Sequence, residues 1–355
     1  MNEDIKQEND ISLLEIKEEL LKNCPSLEIE EVLKSVGVKT RRPLGKLNPW
    51  AWWTEIVRGC NISCDFCPSR LFEKDKIDFM EEKTWISLLK VINEVTPYSR
   101  LELCNAGEPT LHPQLLEFLS IAREICPNLQ ILMFTNGTQI TSGKVTYKEL
   151  FDAGLNMIFL DMYSPFEKHK KLAEESGYYW YHQDDKPKDA PGIFTYQNDP
   201  NINVIMFAEN PNSWSKRKLG RGYLHTFLND LDWSVASKFG LEPVIEAPSR
   251  RCDFPNKFVT TNYDGTFAFC SFDYMRHTVN NFGNINGGIK DFFEFWLGSY
   301  MQDVRLKLYN KDRNSHEYCS KCRFTSIRCD IPYWKPELLT HYWDGNDWKF
   351  NKSVL

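Results

Sequence analysis

Apolar residues in the central part of the chain recur with two alternating spacings. Short runs of strand length are followed by longer segments in which apolar positions return roughly every three to four residues, as on one face of a helix. The predicted strands are Thr54–Arg58, Arg100–Cys104, Leu129–Thr135, Met157–Met162 and Asn203–Phe207, and the predicted helices are Glu81–Asn93, Pro113–Ile125, Thr146–Ala153 and His225–Phe239. Such alternation predicts an α/β fold with parallel strands, either a doubly wound sheet or a (β/α) barrel. In both architectures, chemistry takes place at the carboxyl ends of the strands.

The pattern changes at both ends of this region and once within it. Helical spacing over Ile11–Leu21 and Leu27–Gly37 predicts an N-terminal helical hairpin, whereas the aromatic and charged stretch Ser164–Pro200 predicts an irregular segment, either a binding loop or a surface excursion. Near the C-terminus, strand-like segments flank the turn Tyr263-Asp264-Gly265, and a helix over Ile289–Leu308 follows. We therefore expect a helical extension at residues 1–45, a core domain at 46–245, and a small cysteine-rich α+β domain, hairpin plus helix, at 246–355.

Composition and charge narrow the class of protein. The chain has 355 residues, of which 42% are hydrophobic, 14% aromatic and 26% charged, as in an ordered globular protein. It lacks an apolar run of the ~20 residues that a membrane helix needs, and its first residues are acidic, unlike a secretory signal. We therefore expect a cytoplasmic protein without a membrane partner. The formal net charge of -6 gives no general attraction to phosphate backbones, so a nucleic-acid partner is not expected.

The cysteines suggest metal binding. Eleven cysteines in a chain without an export signal are more readily explained by metal than by disulfides. Cys60, Cys64 and Cys67 follow the first predicted strand in one tight loop, and sulfur ligands favour zinc, cuprous copper or iron–sulfur clusters. Three neighbouring ligands instead of four suggest a coordination position reserved for another molecule. A zinc ion completed by a distant histidine is the alternative.

This loop resembles that of a known family. A C-x3-C-x2-C sequence with an aromatic residue, Phe66, before the third cysteine resembles the radical S-adenosylmethionine (SAM) superfamily. The resemblance implies a partial (β/α)6 TIM-like barrel and a [4Fe–4S] cluster held by Cys60, Cys64 and Cys67, with SAM on the remaining iron. It also implies reductive cleavage of SAM to a 5′-deoxyadenosyl radical that abstracts hydrogen from a substrate, and an electron donor such as flavodoxin or ferredoxin.

Further segments match the family in the expected order. The residues after the second predicted strand, Ala106-Gly107-Glu108-Pro109, resemble a Gly-Gly-Glu-Pro segment whose backbone and acid receive the SAM ammonium, although Ala106 stands where a glycine is common. Glu108 could instead complement the dipole of the helix that follows. The resemblance assigns SAM binding to Phe66, Ala106, Gly107, Glu108, Pro109, Thr135, Asn136 and Asp161. No catalytic residue is assigned.

A second cysteine group lies in the C-terminal part. Cys252 and Cys270, with Cys319 and Cys322, resemble the SPASM domain or its shortened form, the twitch domain. The resemblance implies one auxiliary [4Fe–4S] cluster bound by these four residues, with Cys329 as an alternative ligand or a buried core residue. A zinc ribbon is the other reading of this group.

The function expected from these patterns is a radical SAM oxidoreductase. We expect oxidative modification of a peptide or small polar molecule with the help of the auxiliary cluster. Two alternatives remain at this point: a non-catalytic zinc-stabilised binding protein, and a radical SAM enzyme that modifies nucleic acid.

Overall fold

The computed structural model describes part of the chain. The described residues are 49, 51–64, 67, 69, 76–97, 99–161, 163–181, 192–196, 204–208, 252, 254–320, 322, 341–343 and 348–350. The predicted N-terminal hairpin, the helix predicted at residues 225–239, Phe66 and Cys329 lie outside them.

Nine of the described strands form one sheet. They are β1 (Ala51–Thr54), β4 (Arg100–Leu103), β5 (Gln130–Thr135), β6 (Met157–Asp161), β7 (Tyr178–Tyr181), β8 (Gly192–Tyr196), β9 (Val204–Ala208), β10 (Phe258–Thr261) and β11 (Phe267–Ala268). Their order is β11-β10-β1-β4-β5-β6-β9-β8-β7. The six strands from β10 to β9 in this order run parallel, and β11, β8 and β7 extend the two edges antiparallel. Two small sheets pair β2 (Val57–Arg58) with β3 (Asp78–Phe79), and β12 (His341–Trp343) with β13 (Trp348–Phe350).

Helices alternate with the parallel strands, as predicted. The described helices are α1 (Glu82–Val95), α2 (Leu115–Ile125), α3 (Thr138–Thr141), α4 (Tyr147–Asp152), α5 (Phe166–Glu175), α6 (Phe254–Lys257), α7 (Gly288–Leu297), α8 (Ser299–Tyr309) and α9 (Glu317–Ser320). Short 3-10 turns cover Pro109–Leu111, Val279–Asn281 and Ile285–Gly287. Local sequence explains some boundaries: Thr146 and Glu149 form a reciprocal capping box that starts α4.

The two tryptophans of β1 show which side of the sheet the helices cover. Trp52 donates through its indole nitrogen to the Thr96 hydroxyl at the end of α1, over 2.8 Å. Trp53 points to the opposite side, where its ring lies 5.1 Å from that of Phe254. Because facing residues in parallel strands share a side, Arg100 and Glu102 of β4 lie on the Trp53 side, where they form a buried ion pair. Strands with helices outside and packed side chains inside form a partial (β/α) barrel.

Three predicted elements were wrong. The first strand was expected at Thr54–Arg58, but β1 ends at Thr54 and residues 57–58 form the separate short strand β2; β1 is buried on both faces, so it lacks the alternation by which a half-buried strand is recognised. The irregular segment expected at Ser164–Pro200 contains α5, β7 and β8. The single helix expected at Ile289–Leu308 is divided at Gly298, whose backbone is extended and where a Cβ would lie 2.1 Å from the Glu294 carbonyl oxygen.

The C-terminal hairpin joins the barrel. β10 pairs with β1 over its whole length, from Phe258 beside Ala51 to Thr261 beside Thr54, and β11 pairs with β10. The Glu55 amide continues this pairing by donating to the Thr261 carbonyl oxygen over 2.9 Å. The first strand of the hairpin, β10, therefore lies beside the strand that precedes the first cysteine loop.

Candidate functional site

The loop of the first cysteine group is docked on the loop that follows β4. Gly59 and Gly107 form a parallel backbone bridge, and the Glu108 amide donates to the Gly59 carbonyl oxygen over 3.0 Å. A Cβ on Gly107 would lie 1.7 Å from the Val57 carbonyl oxygen, so this position has room for glycine only. Ala106, by contrast, is accommodated with 3% of its surface exposed. The two loops therefore form one unit at the carboxyl ends of β1 and β4.

Glu108 is buried, and its carboxylate ties its own loop to the end of β5. One carboxylate oxygen accepts from the Thr110 amide (3.0 Å), the Thr110 hydroxyl (2.6 Å) and the Thr135 hydroxyl (2.7 Å), and the other accepts from the Asn136 amide (2.7 Å). Burial raises the pKa of this carboxyl, and the hydrogen bonds oppose the rise. Glu108 thus caps the 3-10 turn Pro109–Leu111. It does not cap α2, the helix whose dipole it would complement in the alternative interpretation.

Each thiol of the first group has a side-chain hydrogen-bond partner. The Asn136 side-chain amide donates to Cys60 Sγ over 3.5 Å, the Tyr163 hydroxyl lies 3.0 Å from Cys64 Sγ, and the Ser69 hydroxyl lies 3.1 Å from Cys67 Sγ. The structure therefore brings the ends of β5 and β6 to the cysteine loop, and with them Asn136, one of the residues expected to bind SAM. The partner roles of Tyr163 and Ser69 were missed, although Tyr163 lies just after a strand end, where functional side chains of this fold collect.

Burial shifts the pKa values of ionisable groups at the first cysteine loop. Burial raises the pKa of Cys60 and of Cys64 to about 11, and neighbouring thiols add to the rise in both. Burial also raises the pKa of Asp161, at the end of β6, to about 7, and the charge of Glu108 contributes. Burial therefore favours the neutral form of these thiols and of Asp161. A positively charged ligand would favour the ionised form of all these groups.

The second cysteine group converges on one cavity. Cys252, Cys270, Cys319 and Cys322 line a space of about 340 Å³, counting the part open to solvent, together with Phe254, Pro255, Phe269, Phe272, Leu308 and Arg313. Burial raises the pKa of Cys270 well above its usual range, and the other three thiols add to the rise. The Arg313 guanidinium donates to the Cys322 carbonyl oxygen over 3.2 Å. Four thiols in an otherwise largely apolar cavity are a donor set that fits a closed iron–sulfur cluster.

Family models match both cysteine regions. The radical SAM superfamily model matches residues 54–183, and the SPASM iron–sulfur cluster-binding domain model matches residues 252–323. The protein is a radical SAM enzyme with a C-terminal SPASM domain. Its radical SAM domain implies SAM and a [4Fe–4S] cluster, and its SPASM domain implies additional iron–sulfur chemistry. Each cysteine group of this radical SAM enzyme lies within one of the two matched regions.

Named relatives of the enzyme differ in substrate. The S-adenosyl-L-methionine-dependent 2-deoxy-scyllo-inosamine dehydrogenase of Niallia circulans is 18% identical over 282 residues, which cover 79% of this chain and 94% of that protein. The PqqA peptide cyclase of Gluconobacter oxydans (strain 621H) is 29% identical over 113 residues, 32% of this chain and 30% of that protein.

A solved structure supports the fold. The crystal structure of BtrN in complex with AdoMet and 2-DOIA matches with a TM-score of 0.54 at 16% identity, covering 79% of this chain and 95% of that one. At this identity the likeness supports the partial TIM-like barrel and nothing finer. None of the helices described for the radical SAM enzyme has the length and apolar character needed to cross a membrane.

Proposed function

We propose that this radical SAM enzyme oxidatively modifies a peptide or small polar molecule, using a SAM-binding cluster at Cys60, Cys64 and Cys67 and one auxiliary [4Fe–4S] cluster at the second cysteine group. When bound, the first cluster and SAM supply a 5′-deoxyadenosyl radical that abstracts hydrogen from the substrate. The observation that carries the proposal is the meeting of Cys252, Cys270, Cys319 and Cys322 in one cavity. Beside a substrate site, a cluster there would accept the electron that an oxidation releases.

The proposal assigns SAM to the carboxyl ends of β4, β5 and β6. The residues of this proposed site are Ala106, Gly107, Glu108, Pro109, Thr135, Asn136 and Asp161, with Phe66 added on its sequence position alone. SAM carries a sulfonium and an ammonium charge, and the raised pKa values of Glu108 and Asp161 mark two buried acids that a cation would stabilise in the ionised form. Hydrogen bonds from Thr110, Thr135 and Asn136 hold the Glu108 carboxylate in one orientation.

The substrate class rests on the relatives. One is named for a scyllo-inosamine and the other for a peptide, so we propose a substrate from one of these two classes. An external flavodoxin or ferredoxin would deliver the electron for SAM cleavage. We propose that residues 46–245 form the radical SAM core and residues 246–355 the auxiliary-cluster region, joined by the pairing of β10 with β1.

Iron content and SAM cleavage test the proposal together. After anaerobic reconstitution with iron and sulfide, we expect about eight iron atoms per chain, a charge-transfer band near ~400 nm, and 5′-deoxyadenosine formation in the presence of SAM and a reductant. Cys64→Ala should abolish SAM cleavage. Cys270→Ala should lose about four iron atoms, retain some SAM cleavage and fail to form product.

A matched control separates ligand loss from general damage. Cys126 is buried and its thiol donates to the Leu89 carbonyl oxygen over 3.1 Å, away from both cysteine groups. Cys126→Ala should therefore keep the iron content of the parent. Zinc in place of iron, with no response to SAM, would support the zinc-stabilised binding protein and contradict the proposal.

A further inference from the structure

One side chain links the two cysteine groups directly. Arg58 lies two residues before Cys60, and its guanidinium donates to the Tyr274 carbonyl oxygen over 2.9 Å. Tyr274 lies four residues after Cys270, in a turn where the Asp273 amide donates to the Cys270 carbonyl oxygen over 3.0 Å. A single hydrogen bond therefore joins the segment of the first group to the turn of the second, across 216 positions of sequence.

The Arg58 guanidinium is held at its other end by Glu55. The second terminal nitrogen of Arg58 lies 3.4 Å from a Glu55 carboxylate oxygen, and Glu55 is fully buried at the end of β1. Burial raises the pKa of Glu55, and the charge of Arg58 and the backbone of Tyr263, in the hairpin turn, oppose the rise. Because the guanidinium is planar and its donors have fixed directions, an acid on one side and a carbonyl on the other leave it little freedom.

The Tyr274 side chain lies beside the cavity of the second group. Its ring lies 6.3 Å from that of Phe272, which lines that cavity, and the residue is half-buried. Burial raises the pKa of the Tyr274 phenol, and the Cys67 thiol of the first group and the Cys270 thiol of the second both add to the rise, as do Cys104 and Glu55.

The sheet alone does not fix this turn. β10 is paired to β1, but the chain then crosses to β11 at the edge of the sheet before it reaches Cys270. The hydrogen bond from Arg58 adds a contact between this turn and the segment before Cys60 that the sheet does not provide.

We propose that Arg58 is a positioning residue that fixes the spacing between the two cysteine groups by holding the turn that contains Tyr274 against the segment before Cys60. The inference rests on the proposed function in so far as it takes both groups to carry clusters. A substrate that is oxidised between two clusters must meet both at set distances, and Arg58 supplies a contact that sets them.

The first test uses the metal-free protein. Arg58→Met keeps a long unbranched side chain but removes the donors, and the loss of a hydrogen bond from a charged donor should accelerate amide hydrogen exchange in residues 270–276 about tenfold. Arg123→Met is the control, because Arg123 is likewise part-buried and donates to a backbone carbonyl oxygen, that of Gly154, in another region. The control should leave exchange in residues 270–276 unchanged.

The second test uses the reconstituted protein with both clusters reduced. Pulsed electron paramagnetic resonance measures the distribution of magnetic dipolar couplings between the clusters. This distribution should be broader in Arg58→Met than in the parent and unchanged in Arg123→Met. In Arg58→Lys it should return part of the way to that of the parent. If Arg58→Met binds about eight iron atoms and has the exchange rates and the dipolar coupling of the parent, the inference is wrong while the proposed function stands. A parent that binds only about four iron atoms would overturn the two-cluster function and the inference with it.

Discussion

Replacement of Gly107 by alanine tests whether the docking of two loops builds the SAM-cluster site. The added Cβ would lie 1.7 Å from the Val57 carbonyl oxygen and 2.6 Å from its carbon, both backbone atoms that no rotamer change can move aside. To reach even a 3.0 Å contact the loops must separate by about 1.3 Å. That movement stretches the 3.0 Å hydrogen bond from the Glu108 amide to the Gly59 carbonyl oxygen beyond bonding distance.

The cost follows from these two effects. Overpacking costs about 1–3 kcal/mol and a lost hydrogen bond about 1 kcal/mol, so Gly107→Ala should lower the free energy of unfolding by about 2–4 kcal/mol. A domain with a typical stability of about 5–15 kcal/mol remains folded after such a loss. The cysteine loop, however, moves away from Glu108, so reconstituted Gly107→Ala should lose about four iron atoms and most SAM cleavage while the auxiliary cluster remains.

The control is a glycine with open space around it. A Cβ on Gly143 meets nothing within 4 Å, but its φ of +76° means that alanine there costs about 1 kcal/mol of backbone strain. Gly143→Ala should therefore be slightly destabilised with full iron content and full SAM cleavage. If Gly107→Ala bound the parental amount of iron and cleaved SAM at the parental rate, the reasoning about the docked loops would be refuted.

Two further predictions concern hydrogen bonding and pH. Tyr163→Phe removes the hydroxyl beside Cys64 and, because hydrogen bonds to sulfur stabilise the reduced cluster, should lower its midpoint potential by on the order of tens of millivolts in a redox titration; an unchanged potential would contradict this. Burial raises the pKa of Glu55 from 4.5 to about 7, so the folded protein binds more protons than the unfolded chain between these values and loses stability as the pH rises through that window. The free energy of unfolding, measured with urea at about pH 5 and about pH 8, should therefore fall more between these pH values in the parent than in Glu55→Gln. An equal fall in both proteins would contradict the raised pKa of Glu55.

Much of the barrel was predictable because its signals are local. The strands at Arg100, Gln130 and Met157 begin within one residue of their predicted starts, since the last two are largely apolar runs and the first alternates charged and apolar residues. β1 was misplaced because the charged residues after Thr54 are buried by tertiary contacts, so Glu55 and Arg58 looked in sequence like the polar positions of a strand. The division of one expected helix at Gly298 depends on a backbone approach that the pattern of apolar residues does not record.

The sequence by itself determined that three thiols would lie together after the first strand, since Cys60, Cys64 and Cys67 fall within one short loop whatever the fold around them. For the second group, only the family resemblance implied that Cys252 and Cys270 would meet Cys319 and Cys322; no spacing along the chain did. Tertiary structure alone decided that Arg58 would reach Tyr274. The physical reason is that these groups are joined by the parallel pairing of β10 with β1, a contact between distant segments whose register depends on backbone hydrogen bonds and packing and is not encoded in any local spacing.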